Sequence, residues 1–194
     1  MSPRAGLTAD RITAAAAELA DEIGFDNVTL AAVAKRFGVR DPSLYAHVRN
    51  LKDLRVRVAL AAAAEMADRI GAAVAGRAGR DALVAFADAY RDYALEHPGR
   101  YAATQGPMDL ADVADAPGYV RNVELTAAML RGYDLDGDAF IDAGRLLRST
   151  FHGYATLELG GGFNHSREPD ASWSRILDAL HHLLSRWPDQ EKPQ

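Results

Sequence analysis

The side chains best suited to chemistry lie between positions 29 and 57, where seven basic residues stand against two acidic ones. This local net charge of +5 contrasts with −5 for the whole chain. A small basic face on an acidic protein can bind phosphates while the rest of the surface avoids non-specific polyanions. Chance clustering of charges on a solvated face accounts for the same numbers, so charge alone leaves both interpretations open.

A group of hydrogen-bond donors with one aromatic ring falls inside this basic stretch. Arg40, Ser43, Tyr45 and His47 can donate to phosphates, stack on bases or bind base edges. Thr29 stands where a predicted helix begins, and the N-terminus of a helix attracts phosphate. These residue types at this spacing favour contact with a nucleic acid.

Two short helices joined by a turn must position these side chains. The first is capped by Thr29 and ends at Gly38, which suits a left-handed turn. The second begins at Asp41-Pro42, a capping carboxylate followed by proline at the first helical position, and continues through Val48. This spacing is typical of a helix-turn-helix, whose second helix enters the major groove. A helix pair with a purely structural role, as in many enzymes, is the alternative.

Helical periodicity extends through almost the whole chain, and strand-like alternation does not persist anywhere. The pattern predicts an all-α fold of about nine helices, the first of which lies between Thr8 and Gly24. We divide the chain into a three-helix DNA-binding domain, residues 1–56, and a second helical domain, residues 57–194.

Composition excludes several function classes. The chain has no cysteine, which rules out disulfides, thiolate metal sites and thiol catalysis. The longest apolar run, Val58 to Ala64, is far shorter than the ~20 residues that cross a bilayer, and no signal-peptide core is present. No catalytic constellation, metal site or cofactor motif is found. We therefore expect a protein of the cytoplasm with no membrane partner.

Residues 8–54 resemble the DNA-binding domain of TetR-family transcriptional regulators. Many members carry a phosphate-contacting lysine where this chain has Leu51, and Lys52 is the candidate to replace it. The resemblance rests on Gly24-Phe25, Val28-Thr29-Leu30, Val33-Ala34, Gly38-Val39, Ser43-Leu44-Tyr45, His47-Val48 and Leu54. The DNA-binding residues that it implies are Thr29, Arg40, Asp41, Ser43, Leu44, Tyr45, His47, Arg49 and Lys52.

The second half is similar to the C-terminal regulatory domain of some family members, through His152-Gly153 and Leu157-Glu158, although no tryptophan lies between 134 and 160. The resemblance implies a homodimer built on the last two long helices, at 136–159 and 172–187. The last helix has more apolar surface than one neighbour needs, although the core of a single chain could also take it up. The predicted interface residues are Leu146, Trp173, Ile176, Leu180 and Leu184.

The family also leads us to expect a small-molecule effector pocket with aromatic walls and a few polar groups. The hypothesis is a dimeric repressor that a small-molecule effector releases from a palindromic double-stranded DNA operator. An all-α enzyme and a DNA-binding dimer without an effector are the alternatives. The candidate pocket residues are Phe86, Tyr90, Tyr93, Met108, Tyr119, Met129, Phe151 and His152.

Overall fold

The structure is a computed structural model that describes residues 7–106, 108, 109, 112 and 114–187. Within these residues every regular element is helical, which confirms the all-α prediction with eight α-helices in place of about nine. None of the described helices combines the length and the hydrophobicity that crossing a bilayer requires. The helices are α1 (Ala9–Ile23), α2 (Leu30–Phe37), α3 (Leu51–Val74), α4 (Gly79–Glu96), α5 (Pro98–Gln105), α6 (Pro117–Leu130), α7 (Gly137–Leu159) and α8 (Pro169–Leu184).

The chain forms two compact units that alternate along the sequence. The first unit takes in the described residues up to Glu65 together with those between Glu96 and Val120. The second takes in the described residues from Met66 to Leu95 and from Arg121 to Trp187. The boundary predicted after residue 56 divides the chain by function, and it stays a prediction. The compact units place residues 96–120, including α5, with the N-terminal helices.

Capping residues set both ends of the first two helices. The hydroxyls of Thr8 and Thr29 each accept a hydrogen bond from an amide three residues on, at 3.2 and 3.1 Å. These bonds satisfy backbone donors that would otherwise have no partner at a helix N-terminus. Gly24 and Gly38 end the helices with φ of 85° and 66°, a region that favours glycine. The predicted bounds of both helices are confirmed.

The first unit has one apolar core, to which α1, α2, α3 and α5 all contribute. Small alanines on α1 and α2 let these helices approach closely, and larger aliphatic side chains fill the remaining space. The presence of Ala103 in this core shows that α5 belongs structurally to the first unit. The buried members are Ile12, Ala16, Ala17, Leu19, Ala20, Val28, Val33, Ala34, Leu44, Val48, Leu54, Val58, Ala59 and Ala103.

Helix α5 approaches α1 so closely that only glycine fits at the contact. A Cβ atom on Gly99 would lie 2.0 Å from the carbonyl carbon and oxygen of Ala20. Asp21 of α1 accepts a hydrogen bond from the Arg100 amide at 2.8 Å, and its other oxygen lies 3.2 Å from His97 Nδ1. A carboxylate from α1 thus satisfies the N-terminus of α5, which fixes the two helices together.

We expect Gly99→Ala to lower the free energy of unfolding by about 2–3 kcal/mol, because the added methyl group overlaps the α1 backbone. Gly144→Ala, inside α7, is the matched control. A Cβ atom there meets nothing within 4 Å, so alanine should stabilise the chain by up to about 1 kcal/mol through helix propensity. Urea denaturation at a fixed protein concentration measures both. Equal effects would show that α5 does not need its close approach to α1.

The core of the second unit is aromatic and centres on Phe151. Its ring centroid lies 6.2 Å from that of Phe86, 5.8 Å from Tyr90 and 5.7 Å from Trp173. Because α4, α7 and α8 each supply a ring, this cluster joins three helices. The buried aliphatic residues of the same unit include Leu83, Leu130, Leu147, Leu177 and Leu184.

Candidate DNA-binding surface

The segment between α2 and α3 begins with a short 3-10 helix at Asp41–Ser43, followed by turns. The predicted helix therefore starts where expected, but it is a 3-10 helix and does not continue to Val48. The amides of Leu44 and His47 donate to carbonyls three residues back, at 3.0 and 2.9 Å. The Val48 amide donates to the Leu44 carbonyl at 3.0 Å, with α-helical spacing. Hydrogen bonds to the third and fourth preceding residues thus occur side by side, and no continuous series of α-helical bonds forms in this segment.

The predicted cap of this segment also differs. Arg40 occupies the N-cap position, with extended backbone, and Asp41 is the first residue of the turn. No side chain caps the turn with a hydrogen bond. Pro42 follows at the second position, where its missing N–H costs little. The Asp41 carboxylate therefore lies on the surface and does not act as a cap.

The side chains of this turn divide into an inward and an outward set. Leu44 and Val48 are 0% and 1% exposed and pack in the core of the first unit, so the predicted DNA contact of Leu44 is wrong. Tyr45 points outward and is 56% exposed. Buried anchors four residues apart thus hold the polar residues between them at the surface. The outward set is Arg40, Asp41, Ser43 and Tyr45, with His47 half-buried.

Thr29 lies at the N-terminus of α2 and is exposed. Its Oγ1 accepts a hydrogen bond from the Ala32 amide at 3.1 Å. The hydroxyl hydrogen stays available to donate, and the helix dipole favours an anion at this end. This geometry suits a phosphate, and the contact itself stays a prediction.

Several cations of the basic stretch are held by partners within the first unit. Arg36 forms ion pairs with Glu18 at 2.8 Å and Glu22 at 2.6 Å, and the Glu22 hydrogen bond raises the pKa of Arg36. Arg55 donates to the carbonyl of Asp26 at 2.8 Å. The net charge counted along the sequence therefore overstates the charge that this face offers to DNA.

Arg49 and Lys52 also have acidic partners. Asp53 accepts from the Arg49 amide at 2.9 Å, which is the main reason that its pKa is lowered, and it lies 3.2 Å from the guanidinium groups of Arg49 and Arg57. Lys52 Nζ lies 2.8 Å from Asp109 Oδ2, and this hydrogen bond raises the pKa of Lys52. A phosphate bound by Lys52 would have to replace that carboxylate. The exposed Arg40 side chain, in contrast, forms no ion pair with any described residue.

The cap that starts α3 was not predicted from the sequence. The amide of Asp53 donates to Asn50 Oδ1 at 2.9 Å, while Asp53 itself accepts from the Arg49 amide. This reciprocal arrangement resembles a capping box, and an Asn followed three residues later by Asp is the pattern that could have indicated it. The cap ends the turn segment and starts α3 immediately after the outward-facing side chains.

The predicted effector residues are distributed over both units, and their role stays a prediction. Met108 and Tyr119 belong to the first unit, where the tyrosine hydroxyl lies 3.2 Å from Met108 Sδ. In the second unit Phe86, Tyr90 and Phe151 pack ring against ring in the core. The remaining members are Tyr93 and Met129, which are buried, and His152, which is half-buried.

Three predicted dimer residues are already buried within one chain. Trp173, Leu180 and Leu184 are 3%, 7% and 1% exposed. Beside this buried face, α7 and α8 each present a second row of residues at helical spacing, which we call the outer stripes. Leu157 and Leu183, one in each stripe, are 54% and 41% exposed. The outer stripes are Leu146, Thr150, Gly153 and Leu157 on α7, and Ser172, Ile176, Ala179 and Leu183 on α8.

Comparison with known proteins gives similarity over both units. Residues 12–57 match the family described as bacterial regulatory proteins, tetR family, and residues 83–180 match the tetracyclin repressor-like C-terminal domain. The chain is 37% identical over 185 residues to an uncharacterized HTH-type transcriptional regulator of Bacillus subtilis, YobS, covering 93% of this chain and 90% of that protein. Its fold is similar to that of a Rhodococcus protein of unknown function, with a TM-score of 0.77, 22% identity, and 95% and 100% of the two chains covered. The fold is also similar to that of a TetR variant from Acinetobacter baumannii in complex with minocycline, with a TM-score of 0.70 and 21% identity. That match covers 95% of this chain and 100% of the TetR chain.

Proposed function

We propose that this chain, which belongs to the TetR family of transcriptional regulators, is a homodimeric repressor that a small molecule releases from a palindromic operator. Its relatives are DNA-binding regulators of transcription and not enzymes, so the enzyme alternative is excluded. A regulator that binds DNA acts where the chromosome is, so we place it in the cytoplasm of the cell.

The outward set of the turn between α2 and α3 is the observation that carries the proposal. Buried Leu44 and Val48 fix the turn from within, while Arg40, Ser43 and Tyr45 project from it. In a helix-turn-helix the second element lies in the major groove, where Tyr45 would contact base edges and Arg40 a flanking phosphate. Thr29, at the N-terminus of α2, suits a neighbouring phosphate.

The outer stripes of α7 and α8 support the homodimer. They are apolar or small along their length, and among the described residues Leu157, Ala179 and Leu183 are exposed while the others are half-buried. Gly153, inside α7, meets nothing within 4 Å at its Cβ position, although glycine is unfavourable in a helix interior. A second copy packing against this row would supply the missing contacts, and a two-fold dimer matches half-sites about 34–36 Å apart.

Release by a small molecule requires that the molecule bind one spacing of the two DNA-binding surfaces better than the other. The minocycline complex of the structurally similar TetR variant supports an effector of this kind. A dimer without an effector would bind the same operator, and no ligand would release it. Screening for release of bound DNA therefore separates these two alternatives.

Substitutions in the outward set test the DNA-binding surface. We expect Tyr45→Ala to weaken operator binding about 10–100-fold, because base contacts carry sequence discrimination. Arg40→Ala should weaken binding to all sequences and reduce the salt slope by about 1, as loss of one phosphate contact does. Fluorescence anisotropy with DNA from upstream of the protein's own gene, at two salt concentrations and against random DNA, measures both effects.

The control is Arg77→Ala, which removes an exposed arginine from the second unit and should leave DNA binding unchanged. Sedimentation of each variant checks that the dimer persists. A Tyr45→Ala protein that binds the operator normally, or that loses its dimer, would contradict the assignment of this turn to DNA.

A further inference from the structure

A cavity of about 480 Å³ lies in the second unit, between the C-terminal half of α7, the following loop and the first half of α8. This volume falls within the range of small-molecule sites, roughly 300–1,000 Å³. None of the effector residues predicted from the sequence lines it. It is therefore a separate candidate site.

The glycines that end α7 create this cavity. Gly161 has φ of 67°, and the amides of Gly161 and Gly162 donate to the carbonyls of Glu158 and Leu157 at 3.0 and 2.7 Å. This is the hydrogen-bond pattern of a Schellman motif, in which a hydrophobic residue at the second glycine position frequently covers the Leu157 position. Because that residue is glycine here, Leu157 stays 54% exposed and forms a wall of the cavity.

Tyr154 forms the inner wall and is held in place on several sides. Its hydroxyl donates to the carbonyl of Pro169 at 2.6 Å. Its ring centroid lies 4.8 Å from that of Trp173 and 4.6 Å from that of Phe163, and the Arg91 guanidinium lies 5.8 Å away. A wall that is fixed before binding lowers the entropy cost of taking up a ligand.

The lining indicates the chemical class of the ligand. Tyr154 and Phe163 offer aromatic surface, and the Thr150 and Ser172 hydroxyls supply polar groups on facing helices. Arg167 of the lining is exposed to solvent, and it already donates to Ser172 Oγ at 3.2 Å and to a backbone carbonyl at 3.1 Å. Water and these acceptors satisfy the guanidinium without a negative charge on the ligand. We propose that this cavity binds an uncharged aromatic molecule that carries one or two hydrogen-bonding groups.

A ligand bound in this cavity would contact residues of the proposed dimer interface. Four residues of the lining, Thr150, Leu157, Ser172 and Ile176, also belong to the outer stripes. A ligand here would lie beside the surface proposed to meet the second copy, where a small change in helix packing alters the spacing of the DNA-binding surfaces. This consequence rests on the proposed function, whereas binding itself does not.

The test uses N-phenyl-1-naphthylamine, an uncharged aromatic probe whose fluorescence rises in apolar surroundings. The chain has two tryptophans, so Trp187→Phe leaves Trp173, which packs on the Tyr154 wall, as the energy donor. We expect saturable binding with energy transfer from Trp173 to the probe. Phe163→Ala, which removes a ring from the wall, should weaken binding about tenfold or more. Ser172→Leu should weaken it by filling the space.

Phe140→Ala is the matched control, because it makes the same truncation on α7 outside the cavity. Absence of saturable binding, or equal affinities for Phe163→Ala and Phe140→Ala proteins of unchanged circular dichroism, would overturn the site. Operator binding is measured separately by anisotropy. If the protein binds DNA specifically but does not bind the probe, only the proposed ligand site is contradicted. If it binds the probe but does not bind DNA specifically, only the proposed function is contradicted.

Discussion

Replacing Arg91 by methionine is expected to lower the free energy of unfolding by about 3–5 kcal/mol, a large part of the stability of a small protein. The Arg91 side chain is 10% exposed, and its Nε and terminal nitrogen reach the Glu158 carboxylate at 2.7 and 2.5 Å. The same terminal nitrogen lies 2.7 Å from Asp170. The guanidinium therefore joins α4 to both α7 and α8.

The expected cost comes from the group that is left behind. Glu158 is 17% exposed at its side chain, so without Arg91 a mostly buried carboxylate would lose its counter-charge. Asp170 is 85% exposed, and water can solvate it when the arginine is removed. The substitution also removes the guanidinium from the faces of Tyr154 and Trp173, at 5.8 and 5.6 Å.

Arg80→Met is the matched control, because Arg80 also lies on α4 and pairs with a carboxylate of α8, Asp178, at 2.6 Å. Those side chains are 46% and 38% exposed, so water solvates the carboxylate that is left and the loss should be much smaller than for Arg91→Met. Denaturant unfolding at a fixed protein concentration compares the variants. Adding Glu158→Gln to Arg91→Met should recover part of the loss. Equal losses for Arg91→Met and Arg80→Met would contradict the role of burial.

Helix ends could be predicted because each is set by a local signal. Thr8 and Gly24 bound α1, and Thr29 and Gly38 bound α2, since hydroxyl caps and left-handed glycines act over three or four residues. Between residues 41 and 48 the same reasoning predicted the start of a helix but not its length. A 3-10 helix begins at Asp41, and turns follow it after Ser43. Local preference names the start of a helix, whereas the surrounding structure decides whether it can continue.

The inward or outward direction of a side chain was the harder property to predict. Leu44 and Tyr45 are neighbours within the family motif, yet one is fully buried and the other 56% exposed. The pairing of charged side chains was harder still to predict. Lys52 and Asp109 lie 57 positions apart in the sequence, and no local pattern pairs them. A count of basic residues therefore indicates a phosphate-binding face without saying which cations already have partners.

The docking of helices was not visible in the sequence. The sequence His97-Pro98-Gly99 follows the end of α4 at Glu96, but the same proline also begins α5, and the glycine packs against α1. A glycine after a proline is typical of a turn, so its role in a close helix contact has no separate signature. Amphipathic helices show that a face is buried, and the tertiary structure decides which neighbour buries it.

The second large effect is expected at the proposed dimer interface, where Leu183→Asp should dissociate the dimer and lower operator affinity about 100-fold or more. Leu183 lies on the outer stripe of α8 and is 41% exposed in the single chain, so the substitution leaves the protomer core intact. A second copy packed on this stripe would bury the aspartate without a counter-charge, at a cost of several kcal/mol. A monomer then contacts only one half-site, so its affinity for the operator falls close to its affinity for random DNA.

Leu180→Asp distinguishes the dimer from the fold, because Leu180 lies three positions away on the same helix but is 7% exposed. There the carboxylate enters the core of the single chain. The protein should therefore unfold at a lower denaturant concentration, whether or not it forms a dimer. Val123→Asp, at a site on α6 that is 69% exposed and outside the outer stripes, should change neither property. Sedimentation, denaturation and anisotropy on the three variants separate the outcomes. A Leu183→Asp protein that stays dimeric and binds the operator normally would move the interface elsewhere, since an unpaired charge cannot be accommodated in a closely packed apolar contact at so small a cost.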